Sequence, residues 1–412
     1  MSTGASDASA HARKRAFRAD FAVLFSCLVS VGMGQSMLFS VLPPAAREIG
    51  ISPFQVSTIF ATSASIWVFV SPAWGRRSDR AGRRRIIIVG LLGYALSMAL
   101  IATVIEIGTR HLLPAIAVYP MLVASRCVFA LLGSGTGPAS QAFIADRTSR
   151  EERTAGVALV SAAMGLGETI GPGVGALLSV IDLVTPIYFA AALAVASAAS
   201  IGRWLPEAKP HAHPAVPHGR RMRVFDRRIL PFLLVSTSLQ AARGTTVVTL
   251  AFFLQDVLRL SPPETVRASG VGFVVLAASG LIAQLGIVQR VRPSARALMR
   301  AGAACMLVAF SMLVVGRTLP VFLVALALLG MGLGLVRPGA AAAASLAVGT
   351  DEQGAAAGIL GGVAVVGNIF GPMIGTAIYE ASHTGPYLVN AAMMAVVLAF
   401  VLVSRRIRSV HV

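Results

Sequence analysis

The sequence predicts an all-α membrane protein with twelve transmembrane helices in two six-helix pseudo-repeat bundles. Three observations predict it: an apolar composition, a loop-to-loop alternation of arginine, and a motif repeated at an offset of 200 residues. Of the 412 residues, 56% are hydrophobic and only 13% are charged. Mean hydropathy is +0.78. A soluble chain carries about 25% charged residues, so the apolar matter is sized for lipid.

A membrane span needs about 20 apolar residues. Such runs are predicted at 21–43, 54–74, 86–107, 114–140, 154–179, 185–205, 229–256, 267–289, 297–316, 320–344, 354–380 and 386–404. The first run follows Arg13, Lys14, Arg15 and Arg18, as a signal peptide would. It runs on without a small-residue cleavage site, so it reads as an uncleaved first span. Between the second and third runs lies Gly75–Arg85, with six arginines in eleven residues. Residues 206–228, rich in proline, histidine and charge, cannot span and form a cytoplasmic linker. The chain thus divides into an N-terminal bundle at 1–205, the linker at 206–228 and a C-terminal bundle at 229–412.

The net charge of +18 invites a nucleic-acid reading. Topology explains it instead. With the N-terminus inside, 26 of the 35 lysines and arginines fall on inner segments, five on outer loops and four within spans. That asymmetry places both termini in the cytoplasm, with a bacterial inner membrane as the expected location. Cys27, Cys127 and Cys305 lie far apart in apolar runs, which suits small buried hydrophobes rather than a disulfide framework. His211, His213 and His218 have irregular spacing and no acidic or cysteine companions, so they read as solvated linker and no metal is expected.

The halves repeat. Gly167, Gly171, Pro172 and Gly175 recur as Gly367, Gly371, Pro372 and Gly375. The same offset pairs Pro138 with Pro338, Glu152 with Glu352 and Ala155 with Ala355. Four-residue spacing puts the glycines on one helix face, where a neighbouring backbone can approach.

The order Gly75, Asp79-Arg80, Gly82-Arg83 resembles the signature loop between helices two and three of the major facilitator superfamily of secondary transporters. Arg126, Pro138 and Asp146 resemble its helix-four motif in part, since Phe129 and Ala130 stand where Gln and Gly are usual. The glycines around Pro172 resemble the helix-five motif of its twelve-span drug:proton antiporter branch. The resemblance implies two six-span halves with substrate bound between them near the midplane. It also implies that Gly75, Asp79, Arg80, Gly82, Arg83 and Asp146 latch an inner gate. The second-half counterpart, Arg290–Arg296, lacks the acid and both glycines.

Polar groups at membrane depth mark a solute or proton path. Those predicted are Gln35, Arg126, Glu168, Gln240, Arg243, Arg337 and Asn368. Glu168 is the one acid deep in the first half. It reads either as the proton carrier or as a permanent ion-pair partner of Arg126. Nothing pairs a nucleophile with a base, and neither Gly133–Gly137 nor Gly165–Gly167 follows a strand as a nucleotide loop would. No catalytic residue or cofactor is expected. The energy source expected is a proton gradient, and the partners are a small-molecule substrate, protons and the bilayer, with the chain a monomer. The expected function is proton-coupled efflux of a drug, a siderophore or another polar metabolite. Uptake of an organic acid, lipid flipping and non-transporting sensing are the alternatives.

Overall fold

A helix pairs its own backbone N–H and C=O groups, which is why apolar runs bound for lipid fold this way. The structure, a computed structural model, describes residues 3–147, 153–207, 223, 226–291, 293–349 and 352–404. Side chains are described from residue 20 onward, except at 153–159 and 161 within that range. Among the described residues there is no strand.

The α-helices are α1 (Thr3–Ile49), α2 (Pro53–Ala81), α3 (Arg83–Thr109), α4 (Ala115–Leu132), α5 (Thr136–Ala145), α6 (Arg153–Leu178) and α7 (Thr185–Trp204). They continue with α8 (Leu230–Leu258), α9 (Pro262–Ile282), α10 (Ala295–Val315), α11 (Leu319–Leu346), α12 (Gln353–Ala381) and α13 (Gly385–Val403). Ten segments among the described residues are long and apolar enough to cross a membrane. They include Asp20–Ile49 of α1, Ala115–Ala145 across α4 and α5, and Pro262–Val291 from α9 onward. Helices α6 and α8 cover the two remaining predicted runs.

Three boundaries differ from expectation for local reasons. Helix α1 passes through Pro43 and Pro44 and ends only at Ile49. There Gly50, at φ 90°, takes the left-handed conformation open to glycine. The predicted fourth span breaks at a 3-10 turn, Gly133–Gly135, and resumes as α5. Two flexible glycines, followed by Pro138 with no N–H to give Ser134, explain the interruption. Beyond α9 the chain widens into a π-helix over Ala283–Val291.

The chain forms two compact units: Met1–Val41 with Thr62–Ala212, and Leu42–Ala61 with His213–Val412. The end of α1 and the start of α2 therefore group with the second unit. In the first unit α3 packs on α4 and α7, around fully buried Tyr94, Met98 and Ile105. In the second, α10 packs on α11 and α13, and α12 packs on α8. Its aromatic core centres on Phe253, whose ring lies 4.5 Å from Tyr387 and 5.3 Å from Phe322.

Candidate functional site

The repeated glycines make the same contact twice. On α6, a Cβ added to Gly167 would strike the Val29 carbonyl of α1, and one added to Gly171 would strike Met33 and Ser36. Gly32 of α1 meets the Met164 carbonyl from the other side. On α12, Gly367 lies against Thr237 and Gln240 of α8, and Gly371 lies against the Ala241 backbone. The Thr245 hydroxyl donates to the Gly371 carbonyl at 2.7 Å. Gly175 faces Met37, Gly375 faces Thr245, and Gly244 abuts Pro372. Thus α6 lies on α1 as α12 lies on α8, with backbones close enough that only glycine fits.

Within the first unit, Arg126 of α4 is 6% exposed. Its Nη2 donates to Gln35 Oε1 of α1 at 2.7 Å. Its guanidinium sits 4.7 Å from the Phe129 ring centroid. Tyr94 and Trp67 pack on that ring at 5.0 and 5.1 Å. The helix period places residues 126 and 129 on one face, so α4 delivers the cation and its aromatic support together. The structure therefore joins two of the predicted path residues, Gln35 and Arg126. Sequence reasoning missed the role of Phe129, Tyr94 and Trp67. The signal available was the spacing of Phe129 from Arg126.

Glu168 follows Gly167 on α6 and is exposed on its unit. In the second unit Gln240 and Arg243 of α8 are half-buried, whereas Arg337 of α11 and Asn368 of α12 are exposed.

The arginine-rich end of the first unit is a network. Arg83, 8% exposed, reaches Asp79 at 2.5 Å, Ser78 Oγ at 2.6 Å and Asp146 at 3.2 Å. Asp146 is 2% exposed and Asp79 is 59% exposed. Gly82 has φ 94°, and the Glu207 carboxylate fills the space a side chain would need. That carboxylate also accepts from the Arg84 N–H at 3.2 Å. Gly75 approaches Pro138 of α5. Arg80 is exposed at the last turn of α2. Arg147 pairs with Asp20.

A second charge cluster was not foreseen. Within the second unit, Arg47 of α1 grips Asp256 of α8 at 2.6 and 2.8 Å. The Tyr379 hydroxyl of α12 donates to the same carboxylate at 2.5 Å, with His383 Nε2 3.7 Å away. Nearby, the Phe54 N–H donates to Glu380, and the Thr376 hydroxyl donates to Ser57 at 2.8 Å. The sequence carried one hint: Arg47 is one of few basic residues on the predicted outer loops.

Before α8, Arg228 pairs with Asp226 at 2.8 Å and with Glu352 at 2.7 Å. Hydrogen bonds from Arg228 hold both carboxyls below their usual range, and the carboxylates in turn push Arg228 up. Among the described residues no group of three or more His, Cys, Asp or Glu is placed to hold a metal ion. His211, His213 and His218 lie outside the described residues.

Long apolar helices with repeated glycine seams, and ion-paired networks at the helix ends, define a polytopic membrane carrier. The family model described as Major Facilitator Superfamily matches residues 24–354 and 290–411, and the chain belongs to that family. It is a transporter and not an enzyme. Multidrug resistance protein 2 of Bacillus subtilis is 26% identical over 400 residues, covering 93% of this chain and 94% of the relative. The class C tetracycline resistance protein of Escherichia coli is 29% identical over 399 residues, covering 90% and 93%. Among solved structures, a bacterial homolog of the human lysosomal transporter Spinster, inward-facing and unoccupied, superposes with TM-score 0.73 at 14% identity. That match covers 95% of this chain and 98% of the homolog. The human organic anion transporter MFSD10 (TETRAN) gives TM-score 0.62 at 20% identity over 93% and 99%. The chain is an integral membrane protein of the fold these carriers share.

Proposed function

We propose that this chain exports a small molecule in exchange for protons by alternating access, with twelve spans in two six-helix bundles and both termini in the cytoplasm. The repeated seam supports this reading most directly. Two helix pairs, α1–α6 and α8–α12, meet through backbone at equivalent positions, one pair in each half, so the halves share one internal build, and a duplicated build of this kind suits carriers that rock one half against the other. The direction rests on relatives named for drug and tetracycline resistance.

In this scheme Gln35, Arg126, Glu168, Gln240, Arg243, Arg337 and Asn368 line the path. Arg126 and its aromatic support orient a polar solute. Glu168 carries the proton or exchanges partners with Arg126. Arg83, held between Asp79 and Asp146, closes the cytoplasmic end in one state and releases in the other. Gly75, Gly82 and Arg80 shape that latch.

The test is transport by purified protein in liposomes with an imposed pH difference. Tetracycline, together with a panel of lipophilic cations and organic acids, serves as candidate substrate. Accumulation in inside-acid vesicles that collapses with a protonophore is the expected result. Flux in the same direction as the proton would convert the reading to uptake. Absence of gradient-driven movement across the panel, with lipid scrambling observed instead, would convert it to a flippase.

A further inference from the structure

Helix α2 changes character along one face. Positions 70, 73 or 74, 77, and 80 or 81 follow the helix period and so share a side. On that side the sequence runs Val70, Ala73, Trp74, Arg77, Arg80. This is an ordered descent from apolar through aromatic to cationic within three turns. The same order of chemistry is met on crossing a leaflet from acyl chain through the interface to the headgroup.

The face is concave. A crevice of about 730 Å³ lies between α2 and α4, with Val70, Ala73, Trp74 and Leu131 on its apolar side. Arg76, Arg77 and Arg80 join its lining, and among the described residues that line it none is acidic. Trp74 Nε1 donates to the Leu131 carbonyl at 2.6 Å and so bridges the two helices within the lining. The Arg77 guanidinium lies 5.8 Å from the Trp74 ring centroid. Leu131 is 48% exposed, and Phe69, which precedes Val70 on α2, is 81% exposed. The volume falls in the range of small-ligand sites. The acids of the neighbouring loop are engaged elsewhere, since Asp79 and Asp146 both pair with Arg83.

We propose that this crevice is a binding site for one acidic phospholipid, its phosphate held by Arg76, Arg77 and Arg80 and an acyl chain laid along Val70, Leu131 and Phe69. A soluble anion would use the arginines but leave the apolar wall and Phe69 without an occupant, so the lipid is the better fit. Three guanidiniums give bidentate, planar donors for phosphate oxygens. The site rests on the proposed membrane reading only in that this end of α2 sits at the bilayer interface. It does not depend on which solute is carried or in which direction.

Trp74 is its own reporter, because the chain has three tryptophans and the others are Trp67 and Trp204. The full chain carrying Trp67→Phe and Trp204→Phe is placed in nanodiscs containing a minor fraction of chain-brominated lipid, which quenches tryptophan at contact. Brominated phosphatidylglycerol is expected to quench Trp74 at lower mole fraction than brominated phosphatidylcholine. Arg77→Ala and Arg80→Ala should each reduce that preference about five-fold, whereas Arg85→Ala, outside the crevice, should leave it unchanged. Equal quenching by the two lipids would overturn the site. An Arg85→Ala loss as large as that of Arg77→Ala would also overturn it, by reducing it to general charge attraction. Competition by soluble glycerol phosphate that abolishes the preference would reassign the crevice to a free anion. Quenching reads lipid contact alone, so its failure and a failure of transport are separate results.

Discussion

Arg47 places its two terminal nitrogens on the two carboxylate oxygens of Asp256, across 209 residues of sequence. The pair ties the end of α1 to the end of α8 inside the second unit. Asp256 is 10% exposed and Arg47 is 37% exposed, so one partner is nearly dry and the other is half in solvent. A double-mutant cycle with Asp256→Asn and Arg47→Gln is expected to give a coupling of about 1–2 kcal/mol in thermal stability, the range for a charge-assisted pair with one exposed partner. Simple additivity of the two single changes would show that the contact contributes nothing. Tyr379→Phe should reproduce a smaller part of the Asp256→Asn effect, since it removes one donor and leaves the bidentate grip.

The seams predict an unusual pattern among glycine substitutions. Gly171 and Gly371 face neighbouring backbone, so even a methyl group forces the helices apart. Gly165 and Gly361 have open space at the same distance. We expect Gly171→Ala and Gly371→Ala each to destabilise by about 1–3 kcal/mol, as overpacking does, and to depress transport. Gly165→Ala and Gly361→Ala should be neutral or slightly stabilising, because alanine is the better helix former. Gly171→Leu should abolish activity. Indistinguishable melting temperatures for Gly171→Ala and Gly165→Ala would remove the case for a tight α1–α6 contact.

Arg83 has two carboxylate partners in very different surroundings. Asp146 is 2% exposed and Asp79 is 59% exposed. Losing an exposed partner costs about 0.2–1 kcal/mol, while losing a buried one costs about 3–5 kcal/mol because a charge is left stranded. Asp146→Asn should therefore harm folding and turnover well beyond Asp79→Asn. Asp79→Asn should slow turnover with ligand binding retained. Measuring both variants for stability and for transport separates an anchor from a latch. A larger stability loss in Asp79→Asn than in Asp146→Asn would reverse the assignment.

How much of this was legible in the sequence depends on whether a feature is local. The glycine seams were readable, because four-residue spacing fixes one helix face without knowledge of the partner. The Arg83 network was readable in its parts, since its members occupy one short loop and the end of the next hairpin. The Gln35–Arg126 bond was not. Both residues could be named, but the rotation of α1 against α4 decides whether they meet, and no periodicity encodes it. Glu168 shows the same limit, because depth along α6 was legible and its exposed facing was not. Arg47 and Asp256 look like unremarkable end-of-helix charges until the fold closes 209 residues between them. The break at Gly133–Gly135 was foreshadowed by glycines followed by Pro138, a combination that weakens any helix.

The Asp226–Arg228–Glu352 cluster gives a pH dependence with a definite sign. Hydrogen bonds from Arg228 depress both carboxyls below their ordinary values of 3.8 and 4.5. Groups with depressed folded values stabilise the fold above the unfolded values, and that contribution disappears as pH falls through the folded ones. The stabilisation should thus be complete above about pH 5 and fade below about pH 4. Melting temperature against pH, compared between the wild type and Arg228→Met, is the measurement. The variant should show a shallower acid slope in that window. Parallel curves would mean that the cluster is too solvated to matter.

Glu168 separates coupling from architecture. It stands beside the α1–α6 seam, one residue from Gly167, so its side chain is carried by the element that would move if the bundles rock. Glu168→Gln keeps the shape and removes the charge. If the carboxyl carries the proton, the variant should insert normally, exchange labelled substrate across the membrane at equal concentrations, and lose accumulation against a gradient. If Glu168 is instead a fixed partner of Arg126, the variant should lose stability and exchange together, and Arg126→Gln in the same chain should restore part of both. Proteoliposomes measured with and without an imposed pH difference give the two readouts from one preparation. Wild-type accumulation in Glu168→Gln would remove the residue from the proposed coupling mechanism.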